Sequence, residues 1–244
     1  MKRFYILLTA LGLLLFGQVL TVIAEPPPMD SFTARYEVSL AGLTIGESEL
    51  TLTISSDGRY RMSFNTKPSG IAALLVSDQL TEQVEGTLRQ GQPQPVHYRQ
   101  QRGDKNNEKA VEVDFQWPQG RLLAREGNEQ QTLAVQPGTV DPLSLYLQVM
   151  TDLQRGRRPA QYTLIDGTDL KTYQISWESE QTLDTPLGSL QSVPASRSKP
   201  GSDRVTRLWF APDLNYLPIR VIQTKGDKEK LKLILQSVEG IERD

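Results

Sequence analysis

The amino-acid sequence predicts a mainly β protein, a strongly curved antiparallel sheet or open β-barrel with one main helix, about residues 142–154, packed against it. Three observations predict this fold class. Apolar and polar residues alternate at period two through most of the chain, which is typical of half-buried strands. Turn-forming residues separate the alternating runs, and one stretch of helical spacing follows the middle of the chain.

The N-terminus has the layout of a secretory signal peptide. Two basic residues precede an apolar run from Phe4 to Phe16, and small residues stand at Val22 and Ala24. A retained membrane anchor is the alternative, but this run is shorter than the roughly 20 residues that spanning needs. We therefore expect a signal peptide over residues 1–24 and a Pro-rich linker over residues 25–30. The mature protein would lie in the periplasm of a Gram-negative bacterium, with no stable membrane span after cleavage.

Residues 31–240 are predicted to form a single β-rich domain, because all-β domains of this length are commonly one unit. In the first predicted strand, Phe32, Ala34 and Tyr36 share one face, and polar residues occupy the other face. The same alternation recurs in later runs, which begin at Leu50, Tyr60, Val111, Tyr173 and Leu231.

Turn residues between these runs predict antiparallel hairpins. The turns are Asp57-Gly58, Asp166-Gly167 and Thr185-Pro186-Leu187-Gly188. Asp and Gly tolerate the positive φ angles that tight hairpins require. A further hairpin is expected over residues 201–222, where Pro218 in the second strand indicates a sheet edge or a bulge.

One segment breaks the alternation and predicts the main helix. Asp141 is expected to be its N-cap and Pro142 its first residue, and Gly156 is expected to end it. The apolar positions at helical spacing, which would pack on the sheet, are Leu143, Tyr146, Leu147, Met150 and Leu153. A shorter run over residues 71–76 is continuously apolar and shows neither period.

The composition excludes several classes of function. The 244 residues carry 27 basic and 29 acidic side chains, and this balance argues against a nucleic-acid binder. Cysteine is absent from the sequence, which excludes disulfides, thiolate metal sites and cysteine nucleophiles. Since His97 is the single histidine, a His-rich metal site is impossible, and neither a metal nor a cofactor is expected.

Candidate catalytic groups have simpler structural explanations. His97 lies near no G-x-S-x-G elbow and is expected to be an ordinary surface histidine. Ser196 and Lys199 have a Ser-x-x-Lys spacing, but Pro200 follows, so a loop is expected instead of the helix that this chemistry needs. Asp166 and Asp169 could bind calcium, but a hairpin turn explains them better.

Five motifs stand out along the chain: Gly91-Gln92-Pro93-Gln94-Pro95-Val96-His97-Tyr98, Asp141-Pro142-Leu143-Ser144-Leu145, Asp166-Gly167, Thr185-Pro186-Leu187-Gly188, and the run from Leu208 to Arg220. Together they resemble the exported bacterial proteins of domain-of-unknown-function family 3108 (DUF3108), over about Ser31 to Val238. The resemblance implies an envelope protein rich in antiparallel strands, with no established activity and no catalytic residues to carry over. It also implies an architectural likeness to the half-barrel carriers of lipoproteins.

The motif residues have structural roles in this interpretation. Asp141 and Pro142 begin the helix, and Asp166 and Gly167 form a turn. Trp209 and Tyr216 are expected to flank a hairpin, and Pro218 is expected to protect a sheet edge.

The first functional hypothesis is a non-enzymatic, carrier-like protein that holds a lipid or acyl chain inside the curved sheet. Ile71, Leu74 and Leu75 are candidate lid residues, and Leu147 and Met150 are candidates for the helix lining. The alternative for the segment over residues 71–76 is that it simply fills the core, as side chains do in small barrels.

Two other functions compete with the carrier hypothesis. The chain could be an envelope scaffold or assembly factor that binds a partner protein along the strand edge indicated by Pro218. A hydrolase is the third hypothesis, with His97, Ser196 and Lys199 as the candidate residues.

Overall fold

The computed structural model describes residues 29–68, 79–103 and 109–242. Within these ranges, fifteen strands form one antiparallel sheet and one α-helix packs against it. The predicted signal peptide, most of the predicted linker and the lid candidates Ile71, Leu74 and Leu75 lie outside the described residues. The predicted fold class, mainly β with one helix, is confirmed.

The strands are β1 (Phe32–Leu40), β2 (Leu43–Ile54), β3 (Arg59–Pro68), β4 (Gln79–Arg89), β5 (Gln92–Gly103), β6 (Lys109–Gln116), β7 (Arg121–Glu126), β8 (Glu129–Ala134), β9 (Gln161–Asp166), β10 (Asp169–Trp177), β11 (Gln181–Thr185), β12 (Gly188–Ser198), β13 (Arg204–Ala211), β14 (Leu217–Lys225) and β15 (Lys228–Glu239). The helix α1 is Ser144–Gln154.

The sheet is a meander with one long-range pairing at its centre. Its order runs from β8 through β1, then β15 through β12, and ends with β10 and β9, while β11 pairs only with β12. The first and last strands pair with each other, from Thr33 opposite Glu239 to Leu40 opposite Leu231. The two outer strands, β8 and β9, do not pair with each other, so the sheet is not closed into a barrel.

The sheet curves around its own core. Phe64 of β3 and Thr206 of β13 line one cavity although four strands separate them in the sheet order, and only a curved sheet can bring them together. Alternation places apolar side chains inside: Phe32, Ala34 and Tyr36 of β1 are at most 3 % exposed. The outer face is polar, because opposite charges pair across its strands.

The predicted hairpin turns are confirmed. Asp166 lies opposite Asp169 across the β9–β10 turn, and Gly167 supplies the positive φ of +68° that the turn needs. The Asp57-Gly58 turn joins β2 to β3, and the Thr185 hydroxyl donates to the Gly188 carbonyl in the turn between β11 and β12.

The helix begins two residues later than predicted, because Pro142 and Leu143 form a turn before Ser144. Asp141 nevertheless caps this end: its Oδ1 accepts hydrogen bonds from the backbone N–H groups of Leu143 and Ser144, each 2.9 Å long. At the other end, Gly156 adopts a φ of +67° and its N–H donates to the Leu153 carbonyl. This arrangement is typical of a glycine that ends a helix.

The C-terminal half of α1 is anchored by a buried carboxylate. Asp152 accepts hydrogen bonds from Gln148 Nε2 at 3.0 Å, from Arg157 at 2.6 Å and from the Tyr162 hydroxyl of β9 at 3.0 Å. The Arg155 guanidinium donates to the Gln90 carbonyl in the β4–β5 turn. These bonds join the helix end to two separate parts of the sheet.

The expectation that Pro218 protects a sheet edge is wrong. Strand β14 pairs with β13 on one side and with β15 on the other, so it is not an edge strand. Pro218 itself pairs with Phe210 of β13, and the pairing with β15 begins at Arg220. A register shift leaves Ile219 unpaired between the Trp209–Arg220 and Phe210–Pro218 pairs, which is the β-bulge alternative. Tyr216 lies in the connection before β14, where it adopts a φ of +59°.

Candidate ligand-binding cavity

The concave face of the sheet encloses a cavity of about 150 Å³. Strands β1 to β4, helix α1 and strands β12 to β15 contribute to its wall. Its lining residues are Tyr36, Leu50, Phe64, Leu80, Glu82, Leu143, Tyr146, Arg197, Thr206, Pro218, Val221, Gln223, Leu231 and Leu233. The wall is predominantly apolar, because the apolar members of the period-two alternation are the residues of these strands that face inward.

Two tyrosines contribute both apolar surface and a polar tip to this wall. The Tyr36 hydroxyl donates to the Pro218 carbonyl at 2.9 Å, so its polar end is satisfied inside the core. Burial raises the pKa of Tyr36 and of Tyr146, which keeps both hydroxyls neutral at physiological pH. These residues therefore act as amphipathic wall groups that add no charge to the cavity.

Glu82 is the one carboxylate among the residues that line this cavity. Gln100 Nε2 donates to its Oε1 at 3.1 Å, and the Tyr98 hydroxyl lies 3.3 Å from its Oε2. Burial is the largest influence on this group and raises the pKa of Glu82. The negative charge of the nearby Asp141 acts in the same direction.

Asp141 lies behind the cavity wall at the start of α1. Its side chain is fully buried, and its Oδ2 has no hydrogen-bond partner in the described parts of the chain. Burial raises the pKa of Asp141 to about 6, even though the hydrogen bonds to its Oδ1 oppose the shift. Next to it, the hydroxyls of Tyr60 and Ser144 are 2.8 Å apart.

The cavity adjoins a recess of about 460 Å³ at one end of the strands. The two spaces lie side by side, because they share the lining residues Phe64, Leu80, Gln223, Leu231 and Leu233. The recess adds apolar surface from β1 and β2, and it also adds three cations, which are Arg102, Arg204 and Lys230. This end of the concave face therefore combines an apolar wall with a positively charged rim.

The structure places the predicted helix-lining residues in the core. Leu147 and Met150 are fully buried and are not among the residues that line the cavity. Leu143 and Tyr146 of the same segment line it instead. A ligand-binding role for Leu147 and Met150, and for the lid candidates outside the described residues, stays a prediction.

The candidate catalytic residues are placed apart from each other. His97 is exposed on the outer face, where its Nδ1 lies 2.8 Å from Asp114 Oδ1. Ser196 lies in strand β12 and not in the expected loop. Lys199 follows the end of that strand, so the pair is not held on one turn of a helix as Ser-x-x-Lys chemistry requires.

The sequence alone did not identify Glu82 and Arg197 as cavity residues, or Arg204 as a residue of the adjoining recess. In the sequence, these charged residues occupy positions that alternate in step with apolar residues of the same strand. Only the strand register shows which of the two alternating sets faces inward. In the described ranges, no cluster of three or more metal-ligating side chains is present, and no helix is long and apolar enough to cross a membrane.

The sequence profile of a family described as protein of unknown function (DUF3108) matches residues 35–232. A search of curated proteins found no match. A beta-barrel-like protein of domain of unknown function DUF1849 from Brucella abortus matches with a TM-score of 0.57 at 12% identity, over 88% of this chain and 99% of that chain. A likeness at this identity shows the fold alone.

Two further solved structures match more weakly. An exported protein with a YmcC-like fold from Bacteroides fragilis has a TM-score of 0.37 at 9% identity, over 87% of this chain and 97% of that chain. A lipoprotein from Parabacteroides distasonis has a TM-score of 0.33 at 10% identity, with the same shares of 87% and 97%. These two likenesses are too weak to carry an argument.

Proposed function

Because this chain belongs to the DUF3108 family, whose description assigns no activity, we propose a function from its own geometry. We propose that the protein is a non-enzymatic, carrier-like protein that binds a hydrophobic or amphiphilic ligand of the cell envelope. The observation that carries the proposal is the cavity of about 150 Å³ in the concave face, which adjoins an open recess.

The size and lining of the cavity support binding of an apolar group. Protein interiors are close-packed, and voids much larger than a water molecule are few in each domain. An engineered apolar cavity of about 150 Å³ in another protein binds benzene. The core fills the rest of the concave side, since 40 apolar residues are buried within the described ranges. The cavity is therefore a local feature near one end of the strands.

The positions of the reactive side chains support a non-enzymatic role. His97 is exposed on the convex side, away from the cavity, and Ser196 lies in β12 while Lys199 lies beyond the end of that strand. Glu82 and Asp141 are instead involved in packing and helix capping. A hydrolase that used any of these groups would need another arrangement of them.

Export to the cell envelope is part of the proposal and rests on the N-terminal sequence. The basic start, the apolar run and the small residues before Glu25 support cleavage after Ala24 and release into the periplasm of a Gram-negative bacterium. Mass spectrometry of the protein recovered from its host tests this directly. An intact Met1 terminus contradicts it.

Titration with the neutral fluorophore N-phenyl-1-naphthylamine tests the binding function. We expect the protein to bind the fluorophore and Val221→Phe to weaken binding at least about tenfold, because the larger side chain occupies the cavity. Val96→Phe is the matched control, since Val96 is 47% exposed and lies outside the cavity lining. Circular dichroism establishes that each variant folds.

Native mass spectrometry of the protein purified from its host gives a second readout. A lipid that co-purifies with the wild-type protein and is lost from Val221→Phe supports the proposal. Protein without any bound lipid, together with no binding of the fluorophore, overturns it.

A further inference from the structure

The inner faces of three neighbouring strands change from apolar to cationic toward the same end. The register places Arg197 of β12 opposite Thr206 of β13, and Thr206 opposite Gln223 of β14, so these side chains share the concave face. One step further along the same face, Arg204 of β13 pairs with Lys225 of β14. The apolar residues one step deeper on the three strands are Ala195, Leu208 and Val221, and all of them are buried.

These cations line a separate recess of about 460 Å³ at the mouth of the sheet. The recess contains four cations, Arg197, Lys199, Arg204 and Lys225, against two carboxylates, Asp166 and Asp203. It shares Arg197, Thr206 and Gln223 with the apolar cavity, so Arg197 lies at the boundary between the charged and the apolar space.

The four cations of this mouth recess outnumber its two carboxylates, so the protein balances their positive charge only in part. Lys171 Nζ lies 3.1 Å from Asp166 Oδ2, and the Tyr173 hydroxyl donates to the same oxygen at 2.8 Å. The four cations of the recess form no ion pair with any residue that the structure describes. On the outer face, by contrast, arginines such as Arg35 and Arg61 are paired with glutamates.

An aromatic side chain, that of Tyr173, orients the guanidinium of Arg197. Its guanidinium lies over the Tyr173 ring, 5.1 Å from the ring centre, which leaves its N–H donors in the plane available. A guanidinium presents parallel donors that match the two oxygens of a carboxylate or a phosphate. Unpaired cations in a concave site also attract anions more strongly than they would on a flat surface.

We propose that the ligand is a single-chain amphiphile with an anionic head group. The cations of the mouth recess, with Arg197 foremost, hold the head group, and the acyl chain extends from Arg197 into the apolar cavity. This inference rests on the proposed binding function. A cavity of about 150 Å³ accommodates the end of one chain and not two. Carboxylate and phosphate head groups share the chemistry that the recess recognises.

The test compares three probes that have the same twelve-carbon chain, used below their micelle concentrations: dodecanol, laurate and dodecyl phosphate. We expect the two anions to bind at least about tenfold more tightly than dodecanol, because a hydrogen bond to a charged group is stronger than one to a neutral group. Raising the salt concentration should reduce this advantage, since the cations of the recess are partly exposed to solvent. The anion that binds more tightly identifies the head group.

Variants of the recess separate head-group recognition from chain binding. Arg197→Gln should reduce the preference for laurate over dodecanol about tenfold, whereas Arg197→Lys should retain part of that preference. Lys67→Gln is the matched control, because Lys67 is an exposed cation near the same end of the sheet that alternation places on the outer face. If Arg197→Gln fails to fold, the double variant of the exposed residues, Arg204→Gln with Lys225→Gln, provides the same readout.

The results of these experiments distinguish the head-group inference from the proposed carrier function. Equal affinity for dodecanol and the anions, or an anion advantage that survives the recess variants, overturns the head-group inference and leaves the carrier function standing. No binding of any of the three probes overturns both. An anion advantage lost in the recess variants and kept in Lys67→Gln supports both.

Discussion

A buried aspartate lies at each end of helix α1, and the two aspartates differ in their hydrogen-bond partners. Asp152, near the C-terminal end, accepts hydrogen bonds from Gln148, Arg157 and Tyr162. Asp141, before the N-terminal end, has both backbone bonds on Oδ1 and no partner on Oδ2 among the residues described. The two groups have similar burial, so the difference lies in how their charge is compensated.

This difference indicates separate roles for the two ends. A buried carboxylate with a cation and two neutral donors holds the helix to the sheet. A buried carboxyl with one oxygen free is costly as an anion, and burial accordingly raises its pKa to about 6. The C-terminal end is therefore a fixed anchor. We expect the N-terminal end, beside Glu82 and the cavity, to be the end whose stability depends on pH.

The largest expected effect comes from removing the anchor. Asp152→Ala leaves the Tyr162 hydroxyl and the Gln148 amide without their buried acceptor, and it leaves the Arg157 charge unpaired. We expect a loss of about 3 kcal/mol or more in the free energy of unfolding, measured by urea denaturation. Arg157→Gln is the control and should cost about 1 kcal/mol or less, because its side chain is 49% exposed. A smaller loss for Asp152→Ala than for the control contradicts the anchor role.

The pH dependence of stability should be governed in part by Asp141. Its pKa is raised from 3.8 to about 6, so the folded state binds more protons than the unfolded state between these values. The stabilisation is therefore fully present below about pH 4 and is lost as the pH rises through about 6. The difference between the two pKa values corresponds to about 3 kcal/mol.

Asp141→Asn isolates this contribution, because asparagine keeps the capping oxygen and removes the ionisation. We expect the variant to be more stable than the wild type at pH 7.5 by up to about 3 kcal/mol, with the difference vanishing near pH 4. The pH dependence of stability of Glu82→Gln is measured for comparison, because the pKa of Glu82 is also raised by burial and its charge interacts with that of Asp141. Parallel stability curves for the wild type and Asp141→Asn would show that Asp141 does not titrate in this range.

The smallest effect should come from Ser144→Ala. This change removes the hydroxyl that lies 2.8 Å from the Tyr60 hydroxyl, and we expect a cost of about 1 kcal/mol at pH 7. The Ser144 side chain also lowers the pKa of Asp141, so its loss should move the pH transition upward. NMR titration of the Asp141 carboxyl carbon measures this shift. A transition that moves downward contradicts the assignment.

The local elements of the fold could be predicted from the sequence. Alternation identified the β1 face that carries Phe32 and Tyr36, and Asp166-Gly167 identified a hairpin, because both signals depend on residues close together in the chain. Asp141 was correctly identified as the capping residue, although the turn at Pro142 delays the first helical residue to Ser144.

The arrangement of the strands could not be predicted in the same way. Pro218 is compatible with an edge or a bulge, and the pairing of β14 with both neighbours decides between them. The cavity wall combines residues as distant in sequence as Tyr36, Glu82 and Arg197. Their proximity depends on sheet order and curvature, which short-range patterns do not contain.

The pairing of the first strand with the last sets the order in which the molecule can be completed. The ion pair between Arg35 and Glu239 joins residues that are 204 positions apart. Hairpins on either side need only residues that are close together in the chain. The pairing of β1 with β15 also needs the C-terminal segment. Long-range pairing of this kind makes folding slow. Loss of β15 would leave β1 and β14 with unpaired edges at the centre of the sheet, since both strands pair with it.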